Sequence, residues 1–332
     1  MLKWCIVGCG DVVHRLVQDS LQIAGSSKVE CILTDNMVEA KKFAKKYKIN
    51  KVFKNTKKNI NLIIKSDVNS VYIATPPNNH FYYIKVFSKK ILNIVCEKPL
   101  VIKKNEIIGL TKLIKKKKIN LFTCFYRRYL EKFIYIEKMI KKKFMGDILY
   151  FDTKYFHNEK NHPTAQIIKG KKIPWRFVKE ISGGGNIFDM GTHAIDLIDF
   201  FLGEIDQVNS FKHNYKGLYN VEDMLIANFK LKNNIIGQAS WCSVSSKKID
   251  EFNIYGSKAS IHFSMNISES DNIIIFKDGK KILKRIRMKQ PLHKNMMKKF
   301  IKDLLFLNKN KKLHVMKNGF KTSEILNKIS NN

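Results

Sequence analysis

Apolar and polar positions along the chain follow two successive patterns. In the first third, short apolar runs alternate with amphipathic stretches. Trp4–Val7, Val29–Thr34, Val68–Ala74 and Ile91–Cys96 read as strands, and Val38–Tyr47 and Asn105–Lys115 as helices. Regular alternation of strand and helix predicts a doubly wound parallel sheet. After Leu121–Tyr129 the pattern changes. Ile148–Phe156, Met224–Leu231, Ile235–Val244, Glu251–Tyr255 and Ala259–Phe263 read as strands with short turns between several of them, the pattern of a large, mostly antiparallel open sheet in an α+β domain. Two domains are expected, 1–121 and 122–332, with the last helix placed to pack back on the first. A chain of 332 residues with 44% hydrophobic content suits two packed cores. There is no internal repeat and no long Pro, Gly or Ser linker.

The ends of the first strands carry the first chemical signal. Trp4–Val7 runs directly into Gly8-Cys9-Gly10-Asp11-Val12-Val13, and His14–Ile23 reads as helix. Strand, glycine turn and helix form a dinucleotide cradle: one glycine permits the tight turn, the next lets backbone approach a pyrophosphate, and the helix start offers free N–H groups. Gly8, Gly10, Asp11 and Val12 are the candidate phosphate-binding residues. Val13 occupies the third glycine position, a departure from the fingerprint that a shift of the helix must absorb. Asp35 ends the next strand, where the acid that binds the adenosine ribose is expected. A carboxylate there accepts hydrogen bonds from both ribose hydroxyls of NAD and repels a 2′-phosphate, and no Arg follows it, so NAD is favoured over NADP.

Two further strand ends face the same edge. Val68–Ala74 leads into Thr75, Pro76 and His80, and Ile91–Cys96 into Glu97, Lys98 and Pro99. Ligands bind outside the carboxyl ends of strands in open parallel sheets, which makes these better site candidates than residues in mid-helix. Lys98 would bring an ammonium close to the cofactor.

The second signal lies in Gly183-Gly184-Gly185-Asn186-Ile187-Phe188-Asp189-Met190-Gly191-Thr192-His193-Ala194-Ile195-Asp196. On a regular helix Asp189, His193 and Asp196 fall at i, i+4 and i+7, one polar face beside an apolar stripe of Ile195, Ile198 and Leu202. A flexible glycine loop would then feed an acid, an imidazole and a second acid. A structural reading stays open, with Asp189 as a helix cap and His193 as a satisfied buried histidine. No second His or Cys cluster stands nearby to complete a metal shell, and no metal is expected.

Taken together, these residues resemble the family of glucose-fructose oxidoreductase, inositol dehydrogenase and MocA. The resemblance covers the glycine turn, the Thr75-Pro76 and His80 segment, Glu97-Lys98-Pro99, Phe125–Tyr129, Trp175-Arg176 and the glycine-rich helix. It implies a Rossmann domain followed by a substrate-binding and oligomerisation domain, and an NAD(P)-dependent step on a sugar, a cyclitol or a nucleotide-linked sugar. It further implies that Lys98 and His193 serve the reacting hydroxyl or carbonyl, that Asp189 helps hold the substrate and that Trp175 and Arg176 lie beside the cofactor. Arg128 and Tyr155 join Asp189 and His193 as candidate substrate contacts. The open sheet face often forms the subunit interface in such proteins, so a homodimer or homotetramer is expected. The chemistry agrees with the residues: a neutral His193 can accept the alcohol proton near neutral pH, and Lys98 can stabilise alkoxide character. A catalytically silent NAD-binding sensor of the same fold is the alternative, which retention of Lys98, Asp189 and His193 together disfavours.

The formal net charge of +34 raises the question of a polyanionic partner. Lysines are scattered through every segment, whereas arginine is confined to positions 15, 127, 128, 176, 285 and 287. No basic stripe is interleaved with base-stacking aromatics, so no specific nucleic-acid partner is expected. Six cysteines lack metal-type pair spacing and mostly lie in apolar strands, which reads as reduced core thiols and a cytoplasmic protein. No apolar run approaches membrane-spanning length. His157 and His162 are read as surface-loop residues.

Overall fold

The computed structural model describes residues 1–158, 173–266, 270–310 and 314–331. The chain divides into two compact units, Met1–Tyr126 with Lys289–Lys321, and Arg127–Met288 with Thr322–Asn332. His162 lies outside the described residues.

The first unit is built on β1 (Leu2–Val7), β2 (Ser27–Thr34), β3 (Lys51–Lys54), β4 (Ser70–Ile73), β5 (Asn93–Cys96) and β6 (Asn120–Thr123), in the order β3-β2-β1-β4-β5-β6. Every pairing is parallel. Helices α1 (Met37–Lys46), α2 (Lys57–Lys65), α3 (His80–Phe87) and α4 (Lys104–Lys117) run between successive strands. All residues of β4, β5 and β6 are buried, as expected of strands covered on both faces. Asn36 and Thr56 cap α1 and α2 by accepting from Glu39 N at 3.3 Å and Asn59 N at 3.2 Å. This is the doubly wound sheet read from the sequence. Strand order reverses between β1 and β4, which opens a crevice at their carboxyl ends.

The helix expected over His14–Ile23 is much shorter. A π-helical turn covers Val13–Val17, and Gln18 then turns left-handed at φ 43°. The Leu16 carbonyl accepts from His293 N at 3.1 Å, and Ile23 bridges Ser27 instead of continuing a helix. His293 precedes α8 (Lys294–Lys309), which packs Phe300 at 4.7 Å from the Phe122 ring of β6.

The second unit holds an eight-stranded sheet of β7 (Ile148–Asn158), β8 (Ile205–His213), β9 (Met224–Leu231), β10 (Ile236–Ser245), β11 (Ile249–Gly256), β12 (Ala259–Phe263), β13 (Asn272–Lys277) and β14 (Lys280–Arg285). Its order is β14-β13-β12-β11-β7-β10-β9-β8, with β7 and β10 parallel and the other pairs antiparallel. The five strands read from sequence are present; β8, β13 and β14 are additional. β14 is exposed along its whole length and lacks the alternation that marks a half-buried strand.

Helices α5 (Glu131–Lys141), α6 (Lys179–Ser182), α7 (Thr192–Leu202) and α9 (Lys317–Asn331) complete the chain. Phe201 of α7 meets the rings of Phe252 at 6.0 Å and Phe263 at 5.8 Å, and Phe133 of α5 lies 6.4 Å from Phe201. These aromatics bury one sheet face. Another set of side chains forms a polar ladder across the strands: Asn253 Nδ2 donates to Asp152 Oδ1 at 2.9 Å, and the His262 ring lies 2.8 Å from Asn253 Oδ1 and 2.9 Å from Ser260 Oγ. All six cysteines are buried and free. No helix among the described residues is long and apolar enough to cross a membrane.

Candidate active site

The cradle in the first unit begins at Gly8, which sits at φ 88°; a Cβ there would meet the Ala74 carbonyl oxygen at 2.8 Å. Glycine is what lets the end of β1 lie against the end of β4. At Gly10, in contrast, a Cβ would find no atom within 4 Å. Val13 N and His14 N both donate to the Gly10 carbonyl, at 3.0 and 3.3 Å. The amides of Gly10, Asp11 and Val12 therefore stand at the opening of the turn, where helix geometry supplies no preceding acceptor. Asp11 turns its side chain to Arg15 Nε at 2.7 Å, so its backbone is what it offers the cradle. Val13, at the third glycine position, is fully buried at the head of the π-helical turn, where Gln18 N reaches the Val13 carbonyl at 2.9 Å.

Asp35 follows β2 and is exposed, its Oδ2 accepting from Asn55 Nδ2 at 3.0 Å. Because Asn36 caps α1, the Asp35 carboxylate is not spent on the helix. Open space beside Gly10, amides at the turn opening and an exposed strand-end carboxylate fit the pyrophosphate and ribose of NAD(P).

At the ends of β4 and β5, Thr75 and Pro76 are half-buried, and His80 is wholly buried. Its Nε2 lies 2.9 Å from the Thr75 carbonyl oxygen and its Nδ1 2.9 Å from that of Pro99. Burial lowers the His80 pKa, against the carbonyls of Thr75, Pro99 and Leu100, which raise it. His80 thus lies between the two strand ends, its ring spanning the Thr75 and Pro99 carbonyl oxygens.

Glu97 is buried too. Tyr72 donates to its Oε1 at 2.5 Å, and its Oε2 accepts from Lys98 N at 3.3 Å. Burial raises the Glu97 carboxyl pKa, with the Tyr72 hydrogen bond opposing. Lys98 itself is half-buried, and the Lys98–Pro99 peptide is cis.

In the second unit, the glycine run is packed, which corrects the expectation of a flexible loop. Gly185 N donates to Glu222 Oε1 at 2.8 Å, and a Cβ at Gly185 would meet the Glu222 carbonyl oxygen at 2.4 Å. Burial raises the Glu222 pKa against backbone hydrogen bonds. A cavity of about 340 Å³ borders the loop, lined by Lys179, Gly184, Lys212, His213 and Glu222 among others. Asp189 and His193 are not in its wall.

Of the expected row of Asp189, His193 and Asp196, the two acids take different arginine partners. Asp189 falls in a π-helical turn, Ile187–Gly191, ahead of α7, so the regular helical spacing does not extend back to it. It is half-exposed and accepts from Arg176 Nε at 3.2 Å, while the Arg176 guanidinium lies over the Trp175 ring at 4.6 Å. His193, on α7, is buried. Asp196 is also buried and binds Arg128, whose Nε lies 2.8 and 2.9 Å from its two carboxylate oxygens and whose Nη2 lies 2.9 Å from Asp199 Oδ2. Burial lowers the Arg128 pKa, but the Asp196 and Asp199 carboxylates outweigh it and raise it above the usual range. Arg128, a candidate substrate contact, is thus engaged by α7. Tyr155 is buried in β7 with its ring edge-on to His157 at 4.8 Å.

Sequence reasoning missed Tyr72, which meets Glu97, and Glu222, which meets Gly185. Tyr72 sits inside a strand that reads as core, and Glu222 lies far along the chain from the glycine run. Among the described residues, no group of three or more His, Cys, Asp or Glu side chains could hold a metal ion.

Comparison with known proteins agrees with this architecture. Residues 2–125 match an oxidoreductase family with an NAD-binding Rossmann fold, and residues 133–262 match the GFO/IDH/MocA C-terminal domain. The chain is 26% identical over 281 residues to oxidoreductase P35 of Formosa agariphila, covering 84% of this chain and 83% of that protein. It is 25% identical over 223 residues to levoglucosan dehydrogenase of Pseudarthrobacter phenanthrenivorans, covering 60% of this chain and 56% of that one. Among solved structures, levoglucosan dehydrogenase in complex with NADH and levoglucosan superposes with a TM-score of 0.80 at 19% identity, over 99% of this chain and 96% of that one. KijD10, a 3-ketoreductase from Actinomadura kijaniata in complex with NADP and TDP-benzene, superposes with a TM-score of 0.81 at 15% identity, over 99% and 97% of the two chains. Matched in both its domains, the chain belongs to the GFO/IDH/MocA family of NAD(P)-binding oxidoreductases.

Proposed function

We propose that this oxidoreductase interconverts a secondary alcohol and a ketone on a sugar, a cyclitol or a nucleotide-linked sugar, with NAD preferred to NADP. The observation that carries the reading is Lys98 at the carboxyl end of β5, its amide bound by Glu97 and its neighbour Pro99 beside the buried His80 ring, in the same unit as the glycine cradle. The exposed Asp35 carboxylate supports NAD, because a 2′-phosphate beside it would meet like charge.

Oxidation of a secondary alcohol removes a hydride from carbon and a proton from oxygen. When bound, the nicotinamide ring takes the hydride, or supplies it in the reverse direction. In our reading Lys98 directs its ammonium to the substrate oxygen and stabilises its alkoxide character. His193 takes the proton from that oxygen and returns it in the reduction. Asp189 orients the substrate or the imidazole. Trp175 and Arg176 are assigned to the cofactor side, and Gly8, Gly10, Asp11, Val12, Thr75 and Pro76 to holding the cofactor. Arg128 and Tyr155 support the substrate-binding part. The sheet face bearing the Asp152–Asn253–His262 ladder is our candidate for contact with a second copy.

The test is a turnover assay with purified protein, NAD(H) or NADP(H), and a panel of free sugars, anhydrosugars including levoglucosan, cyclitols, sugar phosphates and nucleotide-sugars. Reduced-nicotinamide absorbance that changes with one group of the panel supports the reading and names the substrate handle. Cofactor binding with no turnover on any group would favour a silent sensor.

A further inference from the structure

We propose that His293 is a positioning residue, which fixes the Glu97–Lys98 strand end by holding Tyr72 and Glu97 and joins that end to the turn behind the glycine cradle. Its importance for catalysis rests on the reading of Lys98 above; its geometry does not.

The ring of His293 has no exposed surface. Its Nδ1 lies 3.3 Å from the Tyr72 hydroxyl oxygen and 3.7 Å from Glu97 Oε1. Tyr72 has one proton, and donates it to Glu97 Oε1 at 2.5 Å. Its oxygen can therefore only accept from His293, so Nδ1 carries a proton. Cys124 Sγ approaches the same oxygen at 3.7 Å, and the Tyr126 ring flanks the imidazole at 4.9 Å. The other Glu97 oxygen accepts the Lys98 amide. A chain of hydrogen bonds thus leads from His293 through Tyr72 and Glu97 to the Lys98 backbone.

The main chain of the same residue makes the second link. His293 N donates to the Leu16 carbonyl at 3.1 Å, within the turn that opens at Gly10, and the His293 carbonyl accepts the α8 bond from Met297 N at 2.8 Å. One residue from a remote part of the chain thus contacts the elements that carry the cradle and Lys98. Filling this space needs no polar ring. An apolar side chain of similar size would avoid desolvating an imidazole, so the polar group is explained by what it holds.

The test compares hydrogen–deuterium exchange at the Lys98 amide in the full-length protein, His293→Leu and His293→Asn. Leucine fills the site without a donor, whereas the asparagine amide can place an N–H near the Nδ1 position. Exchange at Lys98 should rise by about tenfold or more in His293→Leu and return to within about threefold of the parent in His293→Asn, with amides of β12 unchanged as an internal reference. If His293→Leu does not fold, Tyr72→Phe cuts the same chain at its next link and should raise Lys98 exchange in the same way. Unchanged exchange in the variant that folds, or an equal rise with leucine and asparagine, would overturn the proposal. A Lys98→Met variant assayed alongside separates the two readings. Normal turnover there would remove Lys98 from the chemistry, while the exchange result would still decide the role of His293.

Discussion

Arg128 grips Asp196 through both carboxylate oxygens, and only 17% and 1% of the two side chains are exposed. Removing one partner leaves a charge buried without compensation, which typically costs about 3–5 kcal/mol. Arg128→Ala should lower unfolding free energy by that order in urea melts, and Arg128→Lys should recover little of it, because an ammonium cannot reproduce the planar fork. A variant with unchanged stability and a raised KM would instead place Arg128 on the substrate.

The two glycines of the cradle should fail differently. Gly8→Ala forces a non-glycine residue to φ 88° and a methyl against the Ala74 carbonyl, so a loss of about 2 kcal/mol or more in stability is expected. Gly10→Ala meets no protein atom and should melt close to the parent. Its methyl would occupy the space assigned to the pyrophosphate, and NADH affinity should fall by roughly tenfold or more. Melting curves with NADH fluorescence titrations separate the two; normal NADH affinity in Gly10→Ala would remove the turn from cofactor binding.

Cofactor choice should follow Asp35. Its carboxylate is exposed and held by Asn55, with no arginine close behind it in the sequence. Asp35→Ser should shift the NAD-to-NADP ratio of kcat/KM toward NADP by about tenfold or more, chiefly by removing like-charge repulsion. An unchanged ratio would relocate the discriminating group.

Lys132 sets a pH dependence of stability. It is buried on α5, its ammonium donates to the Ser264 and Ser270 carbonyls at 2.9 and 2.8 Å, and burial pushes its pKa from 10.5 down to about 8. Between those values the unfolded chain binds the proton and the folded chain has released it, so this group makes stability rise as the pH climbs from about 8 to about 10.5. Below about 8 both states are protonated and its contribution to the slope disappears. The whole effect is at most about 3 kcal/mol. The difference in unfolding free energy between the parent and Lys132→Met, followed across that window, should show this rise; a flat difference would contradict it.

Much of the first sheet was legible because its information is local. Gly8 and Gly10 follow an apolar run, Asp35 ends the next, and Glu97-Lys98-Pro99 ends another, so each motif is contiguous in the chain. The partition of Asp189 and Asp196 was not legible. Periodicity assumes a regular helix, whereas a π-helical turn precedes α7, and the partners Arg176 and Arg128 are chosen by tertiary packing. His293 carries no local signal at all. Its meaning lies in Tyr72, Glu97 and Leu16, each remote in sequence. β14 was missed for a different reason: an exposed edge strand has no buried face to impose alternation.

In the proposed reaction Lys98 acts on the reacting oxygen and not merely on the cofactor. Lys98→Met separates these two roles, with turnover measured on the substrate that the panel identifies and NADH affinity measured in the same preparation. Turnover should fall by about a hundredfold or more in kcat while the NADH dissociation constant stays within about threefold, because the lost interaction belongs to the transition state. Near-normal kcat, or a loss confined to NADH affinity, would contradict it.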